Sequence, residues 1–247
     1  MAELTLEEFE NYDVSKVKDL RHFIKAFHDA HPEETSWNLN NWNMRPRYSL
    51  NDLFHDCKHL EELIIDKWDT LGTASMQSMF EGCRSLKVLK QNFNTKYVAD
   101  MQNMFQGCVS LTSLDLSNFN TENLWLAGGM FAFCESLTSL DISHFDMTGV
   151  SNIYFLFFGC TSLEQIKLPK FYNGSVERCS TFGHCESLTY LDFAGVGVYI
   201  RGYGFYYLYS PTDDASAFHL LCDNAEAVLS SGLKTKPSHV SWDMYEP

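Results

Sequence analysis

A chain of 247 residues with 45% hydrophobic and 20% charged side chains has the composition of a folded globular protein, which excludes a disordered one. Its formal net charge of −14 disfavours nucleic-acid binding, which needs a cationic face for the phosphates. No apolar run approaches the roughly 18 residues of a membrane span.

The chain opens MAELTLEEFENYD, with neither a basic n-region nor an apolar h-region. The expected location is therefore cytoplasmic, or the cell surface or exterior if an export signal has been trimmed. The following DVSKVKDLRHFIKAFHDAHPEE places Val17, Leu20, Phe23, Ile24 and Phe27 on one helical stripe. Asp13 or Ser15 is positioned to cap its start, and Pro32 follows its end. Residues 1–34 are expected to form an N-terminal helical cap.

From there the chain repeats itself. The pattern Phe-x-x-Cys-x-x-Leu-x-x-[Leu/Ile] occurs six times, around Cys57, Cys83, Cys108, Cys134, Cys160 and Cys185, at intervals of 26, 25, 26, 26 and 25 residues. A large aromatic follows each of the first five cysteines: Trp68, Phe93, Phe119, Phe145 and Phe171. After Cys185 that slot holds Val196, as at the end of an array. Upstream, TSWNLNNW (35–42) matches TSLDLSNF (112–119), so Trp37, Leu39 and Trp42 read as the back half of an additional first repeat.

Within each repeat, residues such as Leu114 and Leu116 alternate with Ser113, Asp115 and Ser117, the period of a short strand with one buried face. In VADMQNMFQGC (98–108), apolar residues recur every three or four positions, which predicts a short helix or 3₁₀ turn. One such unit cannot bury its apolar side alone, and stacked neighbours share a continuous core. The expected fold class is an α/β solenoid over 35–196, with a parallel sheet of short strands on one side and short helices or turns on the other.

The runs MFQGCVSLTSLDLSNFNT (104–121) and MFAFCESLTSLDISHFDM (130–147) resemble the 26-residue "bacterial surface protein" repeat of BspA-like leucine-rich-repeat proteins. The resemblance spans roughly 35–196. It implies a right-handed arc with the sheet on its concave side, and a bacterial source or a microbe that acquired such genes. Members are often secreted adhesins or surface lipoproteins; this chain departs from them in lacking a signal peptide, a lipobox-like start and a wall anchor. The family supplies no catalytic residues.

Beyond the repeats, residues 197–247 are expected to close the other end. GVGVYIRGYGFYYLYS (195–210) holds six aromatics, which serve either as a buried hairpin face or as an exposed anchor surface through Tyr203, Phe205, Tyr206 and Tyr207. DDASAFHLLCDNAEAVLSSG (213–232) reads as a capping helix ending at Gly232.

Candidate chemistry is sparse. Six of the eight cysteines occupy one core-like position per repeat, which predicts buried free thiols rather than a disulfide framework. No paired Cys-x₂₋₄-Cys spacing for zinc occurs, and His55 and His59 lack an acidic third ligand. Nor is there a phosphate loop or nucleophile elbow. No enzyme activity, cofactor or metal is expected; a hydrolase or metal enzyme using Cys179, His184 and Cys185 is the outlying alternative.

If Leu63, Leu89, Leu114, Leu140, Ile166 and Leu191 point inward, their neighbours point out: Glu62 and Ile64, Val88 and Lys90, Ser113 and Asp115, Ser139 and Asp141, Gln165 and Lys167, Tyr190 and Asp192. These vary while the inward positions repeat, as on a scaffold with a tuned binding face. Asp115 and Asp141 in adjacent repeats would repel unless a cation lay across them, which points to a basic protein partner. The expected function is non-enzymatic protein binding, for example as an inhibitor or immunity protein, with a cell-surface adhesin or host-interaction module as the alternative.

Overall fold

The computed structural model describes residues 4–44, 50–169 and 181–188, together with strands at 190–193, 218–222 and 240–244. Two helices lead, α1 (Leu6–Glu10) and α2 (Leu20–Ala30), separated by a 3₁₀ turn at Val14–Lys16. Leu20, Phe23, Ile24 and Phe27 of the expected stripe are buried on α2, whereas Val17 precedes the helix and closes the 3₁₀ turn. Its cap is Asp19, whose carboxylate accepts from the His22 N–H, whereas Asp13 caps the 3₁₀ turn. A capping box between Thr5 and Glu8 starts α1.

Eight short strands follow: β1 (Ser36–Asn38), β2 (Glu62–Ile65), β3 (Val88–Gln91), β4 (Ser139–Asp141), β5 (Gln165–Lys167), β6 (Tyr190–Phe193), β7 (Phe218–Cys222) and β8 (Val240–Met244). All pairings are parallel, and they form two sheets ordered β1-β2-β3 and β4-β5-β6-β7-β8. The register joins equivalent positions of successive repeats: Trp37 with Leu63 and Leu89, then Leu140 with Ile166 and Leu191. Strand β7 corrects the expected C-terminal helix over Phe218–Cys222. Its backbone pairs in parallel with β6 and β8, and those ladder bonds outweigh a weak local helical pattern.

Between β3 and β4, the residues around Leu114 carry no assigned strand although their alternation is clear. There the Gln91 side-chain amide donates to the Asp115 carbonyl at 2.8 Å, taking an acceptor a ladder would have used. Continuity is kept by parallel bridges linking Ser75, Asp100, Leu126 and Asn152.

The segments expected as short helices or turns are successions of turns. Counting back from each cysteine, the N–H groups at positions 5, 3 and 1 donate to carbonyls at positions 6, 4 and 2 of the next repeat. Asp52, Phe54 and Asp56 thus bond to Gln77, Met79 and Glu81. The same triplet recurs with Ser78, Phe80 and Gly82, with Asn103, Phe105 and Gly107, and with Gly129, Phe131 and Phe133, at 2.6–3.0 Å. Intervening N–H groups close turns within their own repeat, as from Cys57 to the Phe54 carbonyl. Most backbone donors of this buried segment thereby find partners.

The core lies between strands and turns. One aromatic column runs through Phe54, Phe80, Phe105, Phe131, Phe157 and Phe182, with ring centroids 5.3–5.9 Å apart. Beside it the six repeat cysteines are free and buried. From Cys83 on, each thiol donates to the carbonyl of the preceding repeat's phenylalanine, as from Cys83 to Phe54 at 3.0 Å and Cys108 to Phe80 at 3.3 Å. Burial pushes the Cys57 and Cys160 thiols up to about 12 and the others well above the usual thiol range, so all are held as inert protonated thiols.

Candidate functional site

Two surfaces present unusual side chains. The first is the outward face of the strands. Inward Leu63, Leu140 and Ile166 are buried, and Leu89 and Leu114 pack partly buried on the same core. Their outward neighbours stand in register across repeats: Glu62 beside Val88, Ile64 beside Lys90, Ser139 beside Gln165, Asp141 beside Lys167. Val88 is 41% exposed. Tyr190 and Asp192 lie on β6, Tyr190 paired with Gln165. Tyr203, Phe205, Tyr206 and Tyr207 lie outside the described residues.

The two aspartates expected to repel are each satisfied within the chain. Asp141 pairs with Lys167 at 2.8 Å and accepts from the Ser143 hydroxyl at 2.6 Å. These bonds hold its carboxyl down to about 2, Lys167 contributing most. Asp115 accepts the Ser117 N–H at 2.9 Å, which lowers its pKa as well. Lys90 lies 3.8 Å from Glu62. The face therefore carries both signs of charge, and the electrostatic reason for a basic ligand weakens.

A pH dependence follows. A carboxylate with a depressed folded pKa contributes stability above its unfolded value of about 3.9, and that contribution disappears as pH falls toward about 2. Both partners are at least half exposed, so the pair is worth below about 1 kcal/mol. Lys167→Met should lower the urea midpoint slightly at pH 7, and the difference from wild type should vanish near pH 2. A difference that persists undiminished there would show that Lys167 acts by packing instead.

The second surface lies along the turns. Positions 5 and 1 before the cysteine adopt positive φ: Asp52 and Asp56, Ser78 and Gly82, Asn103 and Gly107, Gly129 and Phe133, Phe155 and Gly159, and His184. Glycine, Asn and Asp accept this left-handed backbone readily, but a bulky phenylalanine is an outlier there. Phe133 (φ 58°) and Phe155 (φ 55°) break the rule, at a cost of about 1–3 kcal/mol each. Neither gains burial in exchange, since they are 41% and 44% exposed.

Both rings meet Phe158 edge-to-face, at 5.4 Å and 5.2 Å between centroids, and Phe158 in turn meets His184 at 5.0 Å. With Gln102, Asn103, Gln106, Asn152 and Tyr154 they line a cleft of about 490 Å³. Glycines shape it. A Cβ on Gly129 would stand 2.3 Å from the Asn103 Oδ1, and one on Gly159 would stand 2.7 Å from the Phe133 ring. Those side chains can therefore lie flat over the next repeat. A neighbouring cleft of about 450 Å³, sharing Gln106 and Phe133, is charged instead, lined by Asp56, Glu81, Arg84 and Glu135 among others. The sequence reading missed this surface; its signal was a phenylalanine where sister repeats carry Gly82, Gly107 and Asn103.

Elsewhere the chemistry is spoken for. His28 is buried and stacks on His59 at 5.1 Å; its Nε2 accepts the His59 N–H, and its Nδ1 faces Asp29. Burial lowers its pKa, which keeps it neutral. The His59 ring is thereby occupied against His28. Cys185 donates its S–H to the Phe157 carbonyl inside the core, and Cys179 lies outside the described residues. Among the described residues no cluster of His, Cys, Asp or Glu could hold a metal, and no helix is long and apolar enough to cross a membrane.

Two overlapping stretches, residues 1–113 and 87–189, match the model of the family described as "Mycoplasma protein of unknown function, DUF285". No curated protein and no solved structure matches the chain. Since the two stretches together cover well over half of its length, the chain belongs to this DUF285 family.

Proposed function

We propose that this protein is a non-enzymatic binding scaffold, a leucine-rich-repeat-like solenoid that holds a protein partner against the outward face of its strands. One observation carries the reading: across paired strands the inward position is always Leu, Ile or Trp, while the outward ones change among polar, charged and apolar side chains from strand to strand. A constant interior with a varied, exposed exterior lets a repeat protein change its partner without changing its fold. Val88, Ile64 and the Lys90 and Lys167 ion pairs supply apolar area rimmed by charge of both signs, the mixture found at protein interfaces. The matching partner is an amphiphilic protein surface with charges of both signs.

The test compares wild type with Val88→Glu/Lys167→Glu as immobilised bait for extract of the source cells, with retained proteins quantified by mass spectrometry. The expected outcome is a protein retained by wild type and depleted at least tenfold by the variant, about 1.4 kcal/mol of binding energy, with the variant folded and melting only slightly below wild type. Equal retention by the two baits removes the strand face from consideration.

A further inference from the structure

We propose that the turn-side cleft is a second binding site, one that takes a neutral sugar unit of a glycan. Its lining sets it apart from the rest of the molecule. The chain has a net charge of −14, yet among the described residues none that lines this cleft carries a charged side chain. A cationic or anionic ligand would find no counter-charge there, whereas an uncharged polar one loses nothing by entering.

The polar groups present suit hydroxyls. A sugar hydroxyl both donates and accepts, and a side-chain amide does the same from adjacent atoms. Gln102, Asn103 and Gln106 bring three amides to the cleft, and among the described residues their side chains make no hydrogen bond. Asn152 uses its Oδ1 to accept the Tyr154 N–H, which fixes its position at the rim.

The apolar groups suit the other side of a pyranose, whose axial C–H bonds make one flat, water-shunning face. Phe133 and Phe155 each stand nearly perpendicular to Phe158, at 76° and 88°. The three rings form angled walls against which such a face can lie. The volume, about 490 Å³, falls in the small-molecule range of roughly 300–1,000 Å³.

The backbone supplies an independent argument. At both phenylalanine positions other repeats show the residue that the turn prefers: glycine at 82, 107 and 159, Asn103 and Gly129 at the other. Two strained, half-exposed rings converging on one cleft are explained by what they hold and not by what they stabilise.

The test uses the full chain and four neutral oligosaccharides: maltotriose, cellotriose, lactose and triacetylchitotriose, each titrated by saturation-transfer NMR and calorimetry. At least one is expected to bind with a Kd on the order of 1 mM, with strongest transfer to protons of its apolar face. Phe133→Gly and Phe155→Asn, which restore residues of sister repeats, should weaken binding tenfold or more while melting no lower than wild type. Gln106→Ala, which leaves the backbone unstrained, should weaken it several-fold. Tyr97→Ser, which alters a 51% exposed ring outside the cleft, should bind as wild type does.

The idea fails if none of the four sugars shows transfer at about 10 mM. It fails equally if the cleft variants bind undiminished, or if Tyr97→Ser loses as much as they do. Occupation of the cleft by a Pro-x-x-Pro peptide in place of every sugar would also overturn it. None of these results depends on the strand face.

Discussion

Phe105→Ala should lower the free energy of unfolding by about 3–5 kcal/mol, a large share of what holds a domain together. Phe105 is fully buried in the middle of the column, with the rings of Phe80 at 5.4 Å and Phe131 at 5.9 Å on either side. Truncation removes the apolar area and leaves a hole that cannot collapse easily. The backbone at Phe105 is pinned by its N–H to the Met130 carbonyl, while its carbonyl receives both the Cys108 N–H and the Cys134 thiol. A packed site fixed from three directions relaxes little, which pushes the cost toward the upper part of that range. Denaturant unfolding at constant slope is the measurement. A loss below about 1 kcal/mol would mean that the ring is not a core element.

The aromatic and thiol columns were readable because one chemical type recurs at a fixed interval. Any other arrangement would leave Phe80, Cys83, Phe105 and Cys108 exposed or mismatched, so spacing alone aligned them. Inward Leu63, Leu140 and Ile166 followed from alternation for the same reason. The failures are equally instructive. The stretch around Leu114 has the clearest strand pattern in the chain, yet the neighbouring Gln91 side chain takes its carbonyl, and alternation says nothing about a competitor in the previous repeat. Helix α1, at five residues, is too short for periodicity; only the Thr5–Glu8 box announces it. Short helices and turns both stayed open in the sequence because three- and four-residue spacings fit both. What separates them is the left-handed backbone at two points per repeat, which Gly82, Asn103 and Gly107 signal and Phe133 and Phe155 conceal. On the strand face, the alternation gave the outward positions of the paired strands but not the pairing of their side chains. Asp141 had its cation in Lys167, one repeat further on, where a ligand had been inferred.

Deleting residues 4–34 should drive the protein into aggregates or higher oligomers, seen as a void-volume peak and rising light scattering relative to the full chain. Helices α1 and α2 seal the first repeat. Phe9 stacks on Phe27 at 3.8 Å and meets Trp37 and Trp42 edge-on at 5.2 Å and 5.1 Å. The seal is also polar. The Trp42 indole N–H donates to the Phe9 carbonyl and the Trp37 indole N–H to the Glu34 carbonyl, both at 2.8 Å, while the Glu10 carboxylate accepts the Asn38 N–H at 2.6 Å. That last bond matters most, because β1 is the edge of its sheet. Without the cap, its free N–H groups lie beside two uncovered indoles, a template for pairing with another chain. Phe9→Ala provides the graded version: the cap stays in place, stability drops by about 3–5 kcal/mol, and the edge remains covered, so the variant should stay dispersed at temperatures well below its melting point. A deletion product that ran as a dispersed species with an unchanged melting temperature would show that the first repeat closes its own end, and that these helices serve something other than the fold.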